Sequence, residues 1–256
     1  MKKRGMGWMP DLPDHRDLTF AAVRKMTAVK MPMVMDLRGT GCLPAVYDQG
    51  RLGSCTANAI AAAVDFDRVK QGQQAIQPSR LFIYYNERAM EGTIGQDVGA
   101  QIRDGVKSVA KQGVCQESIW PYDPEKFARK PIPRCFRTAE RFQTLEYRRI
   151  DNTNLKEMLA CIADGFPFVF GFTVYDGFMG PVVAATGTLN LPGPKEKMQG
   201  GHAVLAVGYD RGTQRFLVRN SWGTGWGMQE GHFTIPFEYL TNDDLAADFW
   251  TLRRVE

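Results

Sequence analysis

The chain has 256 residues, 44% of them hydrophobic and 11% aromatic, enough for a sizeable core in one large or two modest domains. Its formal charge of +4 comes from Lys and Arg dispersed among acids, so no basic block suggests nucleic acid. No run approaches the ~18 apolar residues of a membrane span, and no membrane association is expected.

The first ten residues are basic but are followed by Asp, Pro and His rather than an apolar stretch, which does not read as a secretory signal. Residues 1–30 carry prolines, mixed charge and one apolar patch, 18–23, and suggest an extended segment with one helical turn. They are too few to fold alone. With Trp8, Leu12, Leu18 and Phe20 the segment has apolar surface enough to dock on the rest of the chain.

A glycine-punctuated turn, Gln49-Gly50-Arg51-Leu52-Gly53-Ser54, runs into an Ala-rich helix expected from Cys55 to Gln71 and stopped at Gly72. A thiol at a helix start meets unpaired N–H groups and the positive end of the helix dipole, which favour its thiolate. Cys55 is therefore a candidate nucleophile, although a small apolar residue in that place is also a common space-filler. A second helix begins near Ser79, a loop spans 92–99, and a third helix runs from Ala100 to Gln112. Residues 126–134 form a basic, Pro-containing loop. Residues 154–164 form an amphipathic helix, with Asn154 as N-cap and Gly165 as stop. Strands follow at 168–174, 202–209, 215–219, 232–235 and 249–253, with a long loop from Asp176 to Gln199 between the first two. Helices first and strands second indicate an α+β protein with segregated lobes.

Two further stretches complete a constellation. One is Gly200-Gly201-His202-Ala203 entering an apolar strand, and the other is Asn220-Ser221-Trp222-Gly223-Thr224-Gly225-Trp226-Gly227. A nucleophilic Cys needs a base, and the base needs a third group to hold its ring. The order Cys, His, Asn is that of papain-like proteases, with His and Asn about 130–150 residues downstream of the Cys; Asn220 lies slightly farther.

On these motifs the chain resembles the papain-like cysteine peptidases over most of its length. The opening Gly7-Trp8-Met9-Pro10-Asp11-Leu12-Pro13-Asp14 resembles a bacterial branch, the xylellain-type enzymes with a short N-terminal segment. The resemblance implies a two-lobe fold, with a helical left lobe (about 41–145), an antiparallel β right lobe (about 146–256) and the active-site cleft between them. Residues 1–30 would then be a pro-like segment and 31–256 the catalytic domain. It implies catalytic roles for Cys55, His202, Asn220 and Gln49, the last as oxyanion donor, with Trp222 shielding the His–Asn contact. It also implies substrate contacts at Gly99, Ala203 and Trp226; small Ala203 hints at an apolar side chain in the neighbouring pocket. Leu52 and Thr56 depart from the family's Cys and Trp at those places.

The expected activity is endopeptidase hydrolysis through a thioester, on peptide or protein substrates, without metal or cofactor, by a monomer. A Cys-His acyltransferase or transglutaminase-type enzyme, or a catalytically silent binding homologue, are the competing readings. The five cysteines (Cys42, Cys55, Cys115, Cys135, Cys161) are odd in number and scattered. They show no zinc spacing and suggest free thiols in the cytoplasm, with secretion by a signal-free route left open.

Overall fold

A computed structural model describes residues 4–21 and 31–255. Its central helix α1, Cys55–Lys70, is buried over its first 14 residues. Alanine at 57, 59 and 61–63 lets neighbours approach this helix on every side. Helices α2 (Arg80–Glu91) and α3 (Ile102–Lys111) pack on one side of α1, and the sheet packs on the other. Ser79 caps α2 by accepting from Phe82 N, and Gly92 ends it in the left-handed region.

The sheet is antiparallel. Its strands are β2 (Thr144–Arg149), β3 (Phe168–Tyr175), β4 (Met198–Asp210), β5 (Arg215–Arg219), β6 (His232–Pro236) and β7 (Ala246–Val255), in the order β2-β7-β3-β4-β5-β6. A three-residue strand β1, Val34–Asp36, pairs with the end of β4. Alternation along β3 puts Phe168, Phe170 and Phe172 on one face, where they meet Phe249, Phe216 and Phe178. This aromatic core fixes β3 and β4 against each other, with Gly171 opposite Ala203 and Phe172 opposite His202.

Several elements differ from the sequence reading. The basic loop leads into a short helix α4, Pro133–Ala139, started by its proline. Helix α5 runs Leu155–Ala163, but Asn154 makes no side-chain cap; its amide turns to Glu157 Oε1 instead. The long loop after β3 contains two short helices, α6 (Asp176–Met179) and α7 (Pro181–Thr186), which bury Phe178 and Val183. A last short helix, α8, spans Phe237–Leu240. Strands β4 and β7 start four and three residues earlier than the apolar runs suggest, because Gly200, Gly201, Ala246 and Ala247 continue the ladder without side-chain signal.

The N-terminal segment crosses the molecule as a strap. Trp8 and Phe20 are buried, whereas Leu12 and Leu18 are exposed, so only two of the four apolar side chains dock. At residues 18–20 the strap pairs with Arg149 rather than forming a helical turn: Phe20 N donates to Arg149 O and Arg149 N to Leu18 O. Ala22 and Val23 of the apolar patch lie outside the described residues.

Candidate active site

Cys55 opens α1, and the turn before it is held from three directions. Gly53 N donates to the Asp97 carboxylate, which also accepts from Tyr84 Oη. Tyr122 Oη donates to Gln49 O and is bonded to Ser54 Oγ. Beneath the helix start, Thr56 Oγ1 donates to the buried Glu87 carboxyl at 2.8 Å. Burial holds that carboxyl well above the usual range, and Thr56 bonds it from the position at which the sequence departs from the tryptophan of the motif it resembles. Asp97 and Glu87 carry no motif signal; only their union in space with the helix start reveals them.

His202, on β4, places Nε2 2.8 Å from Asn220 Oδ1. The amide oxygen can only accept, so Nε2 carries the proton and Nδ1 keeps its lone pair. Nδ1 is buried without a hydrogen-bond partner among the described residues. Asn220 Oδ1 also accepts from Ser221 N, which locks the amide in that orientation. Trp222 lies over the imidazole with ring centroids 4.8 Å apart and planes at 31°. Trp226 meets Trp222 edge-on at 5.2 Å and is buried among Phe178 and Phe233. In this arrangement Trp226 is core, and the indole that reaches the strap is Trp222, through Nε1 to Gly5 O at 3.3 Å.

Gln49 is wholly buried between the lobes. Its Oε1 accepts from Ser221 Oγ at 2.6 Å, and one Nε2 hydrogen goes to Leu52 O at 2.9 Å. Among the described residues no hydrogen bond engages the second Nε2 hydrogen.

The strap occupies the cleft. Gly5 N donates to Gly50 O, and both Gly7 N and Trp8 N donate to Gly201 O at 3.1 Å. Ala100 N donates to Gly7 O at 2.7 Å, and Met9 N to Ala100 O. A side chain at Gly7 would overlap the Gly53 carbonyl, so only glycine passes here. The strap pairs with the backbone of Ala100, the neighbour of Gly99, to which the resemblance gives a substrate contact. Gly99, at φ +87, supplies the close approach, since a Cβ there would overlap the Gly7 carbonyl.

This cover alters the chemistry of the pair. Cys55 and His202 have no exposed surface. Burial pushes the Cys55 thiol up to about 12, against the pull of backbone donors at Ala203, Gly7 and Thr56. Burial brings His202 down to about 4, opposed by the Asn220 bond. Under the strap, loss of water thus opposes the thiolate that the helix start favours. All five cysteines are free, and the Cys115 and Cys135 side chains, twenty residues apart in sequence, are neighbours in space.

Residues 31–242 match the family model for the papain family cysteine proteases. The chain is 42% identical to a peptidase C1-like protein of Acanthamoeba polyphaga mimivirus, over 98% of this chain and 88% of that one. It is 27% identical to the cathepsin B-like CP3 of Giardia intestinalis, over 82% and 71% respectively. Among solved structures it is similar to xylellain, a cysteine protease from Xylella fastidiosa, with 42% identity and a TM-score of 0.89 over 100% of this chain and 98% of that one. With the Cys, His and Asn elements assembled at one cleft between helices and sheet, the chain belongs to the papain family of cysteine proteases.

Proposed function

We propose that Cys55 is the nucleophile of an endopeptidase whose own N-terminal strap closes the cleft until it is displaced. The observation that carries the catalytic assignment is the His202–Asn220 bond, which leaves Nδ1 of that ring, without a hydrogen-bond partner among the described residues, to take the thiol proton. With the strap away, Cys55 passes its proton to His202 Nδ1 and attacks the substrate carbonyl carbon. The oxygen takes up the charge between Gln49 Nε2 and Cys55 N. The tetrahedral adduct collapses to a thioester, and His202 Nδ1–H gives its proton to the leaving amine. Water, deprotonated by His202, then releases the acid and the thiol.

The strap supports gating by where its carbonyls point. Gly5 O faces the Trp222 indole and Gly7 O the Ala100 amide. Among the described residues no strap carbonyl is hydrogen-bonded to Gln49 Nε2 or Cys55 N, so no strap peptide sits for attack. Residues 1–30 then act as a pro-like segment on a catalytic domain of residues 31–256. The enzyme works as a monomer on peptide or protein substrates and not on nucleic acid. Free thiols support folding in the cytoplasm. Among the described residues no helix is long and apolar enough to cross a membrane.

The test is hydrolysis of a fluorogenic peptide by the chain and by Cys55→Ala. Activity abolished in the variant, with unchanged melting, supports the assignment. Retained hydrolysis, or acyl transfer to added amine in preference to water, would overturn it.

A further inference from the structure

Beyond Trp8 the strap runs onto two arginines of the body, Arg103 on α3 and Arg149 on β2. Asp11 Oδ1 lies 2.9 Å from Arg103 and 3.1 Å from Arg149. Asp17 Oδ2 lies 2.7 Å and 3.1 Å from the same guanidiniums, so each carboxylate bridges both arginines. Asp14 approaches Arg103 at 4.0 Å. Among the described residues every ion pair of Arg103 is with the strap, whereas Arg149 keeps one partner in the sheet, Asp248, at 3.3 Å. Asp248 also accepts from Trp8 Nε1 and Asp11 N.

Both arginines are anchored in the body. Their guanidinium carbons lie 6.0 Å (Arg103) and 5.6 Å (Arg149) from the ring of buried Trp250, which gives them a common apolar support. Arg103 Nε is buried without a hydrogen-bond partner among the described residues, even with the strap docked. When the strap leaves, two guanidiniums share the single carboxylate of Asp248. The backbone beside them opens at the same moment. Strand β2 is an edge of the sheet, and at Arg149 the strap covers it: Phe20 N donates to Arg149 O and Arg149 N to Leu18 O, both at 2.8 Å. A bare strand edge takes up another extended segment.

Resting on the peptidase reading above and on displacement of the strap, we propose that Arg103, Arg149 and the edge of β2 form an exosite for acidic segments of the substrate. The strap shows the chemistry it takes: extended chain on the strand edge, with carboxylates shared between two guanidinium forks. The strap passes from Gly5, bonded to the Trp222 that lies over the imidazole, by way of Ala100 to the arginines. Since that imidazole serves the leaving amine, the exosite lies on the acyl side of the scissile bond. It favours proteins with aspartate or glutamate N-terminal to the bond that is cut, outside the residues held in the cleft. A nucleic acid also offers anionic oxygens, but has no peptide backbone to pair with the strand edge.

The experiment empties the site within the full chain, by Trp8→Ala together with Asp11→Asn, Asp14→Asn and Asp17→Asn. Two fluorogenic peptides share one cleaved sequence and carry a flexible N-terminal extension with either aspartates or asparagines. The aspartate peptide is expected to exceed the asparagine peptide at least about tenfold in kcat/KM at low salt, and added salt should shrink the advantage. Arg103→Gln and Arg149→Gln should each remove most of it and leave cleavage of the asparagine peptide unchanged. Arg103→Lys and Arg149→Lys keep the charge and lose the fork; each should cut the advantage at least about twofold, and they serve if the glutamine variants do not fold. Equal cleavage of the two peptides, or an advantage indifferent to all these arginine variants, would overturn the proposal. So would a single-stranded oligonucleotide that binds the emptied chain more tightly than the aspartate peptide does. Fluorescence anisotropy of both peptides on the emptied chain carrying Cys55→Ala ranks them without catalysis. If the aspartate peptide bound better there, through both arginines, while the emptied chain with Cys55 intact cut neither, the hydrolytic reading would fall and the exosite stand.

Discussion

Trp8→Ala is expected to turn a largely closed enzyme into an open one. The Trp8 side chain is almost fully buried and anchors the part of the strap that crosses Cys55. A buried tryptophan removes about 150–250 Å² from water, worth about 4–6 kcal/mol at ~25 cal/mol per Å². Truncation to alanine in packed sites costs about 3–5 kcal/mol. If the strap docks as a unit separable from the catalytic domain, that loss falls on docking alone. About 3 kcal/mol shifts the open fraction roughly a hundredfold, until opening is complete. The assay is kcat/KM on a short fluorogenic peptide below KM, with the melting curve recorded alongside. A rise of tenfold or more with little change in Tm is expected. If Trp8 instead served global stability, a loss of this size would lower Tm by roughly 6 °C or more for a chain this long. Such a fall without any gain in activity would refute the gating argument.

With the strap docked, an alkylating agent at limiting concentration near pH 6 should label Cys42, the one cysteine with appreciable exposure. In Trp8→Ala it should label Cys55 first, and labelling of Cys161 first would contradict the assignment. Asp248 is held near 7 by burial and by the Asp11 carboxyl, against an ordinary 3.8. Its protonation therefore favours the docked strap fully below 3.8, and this contribution is lost as pH rises through about 7. The activity of the intact chain, divided by that of Trp8→Ala, should rise across that window, and Asp248→Asn should flatten the ratio. In the Trp8→Ala background, Gln49→Ala should lower kcat by about a hundredfold to a thousandfold with a small change in KM; loss through KM alone would remove the oxyanion role.

Where the sequence spoke through chemistry, it could be read directly. Gln49, Cys55, His202 and Asn220 could be picked out because turn glycines, an Ala-rich helix and an apolar strand each leave a local signature, and the structure bonds His202 to Asn220 and Gln49 to Ser221. Asp248 left none: an aspartate between alanine and phenylalanine looks like a loop residue, and only the bulge in β7 turns it inward. The strap was legible as apolar enough to dock, but not which of its side chains would do so. Leu12 and Leu18 are as hydrophobic as Trp8, yet the acceptor at Asp248 and the gap over Gly171 exist only for the indole. Nor could the state of Cys55 be read from its helix start, since the cover that raises its pKa comes from residues nearly fifty positions away.

The central claim is that Cys55 carries the acyl group once the strap is displaced. Acid-quenching the Trp8→Ala chain during turnover of a peptide ester, followed by intact-mass and fragment analysis, tests it most directly. The expected result is one acyl adduct, on Cys55, absent from Trp8→Ala, Cys55→Ala. An adduct on another residue, or steady hydrolysis in that double variant, would contradict it.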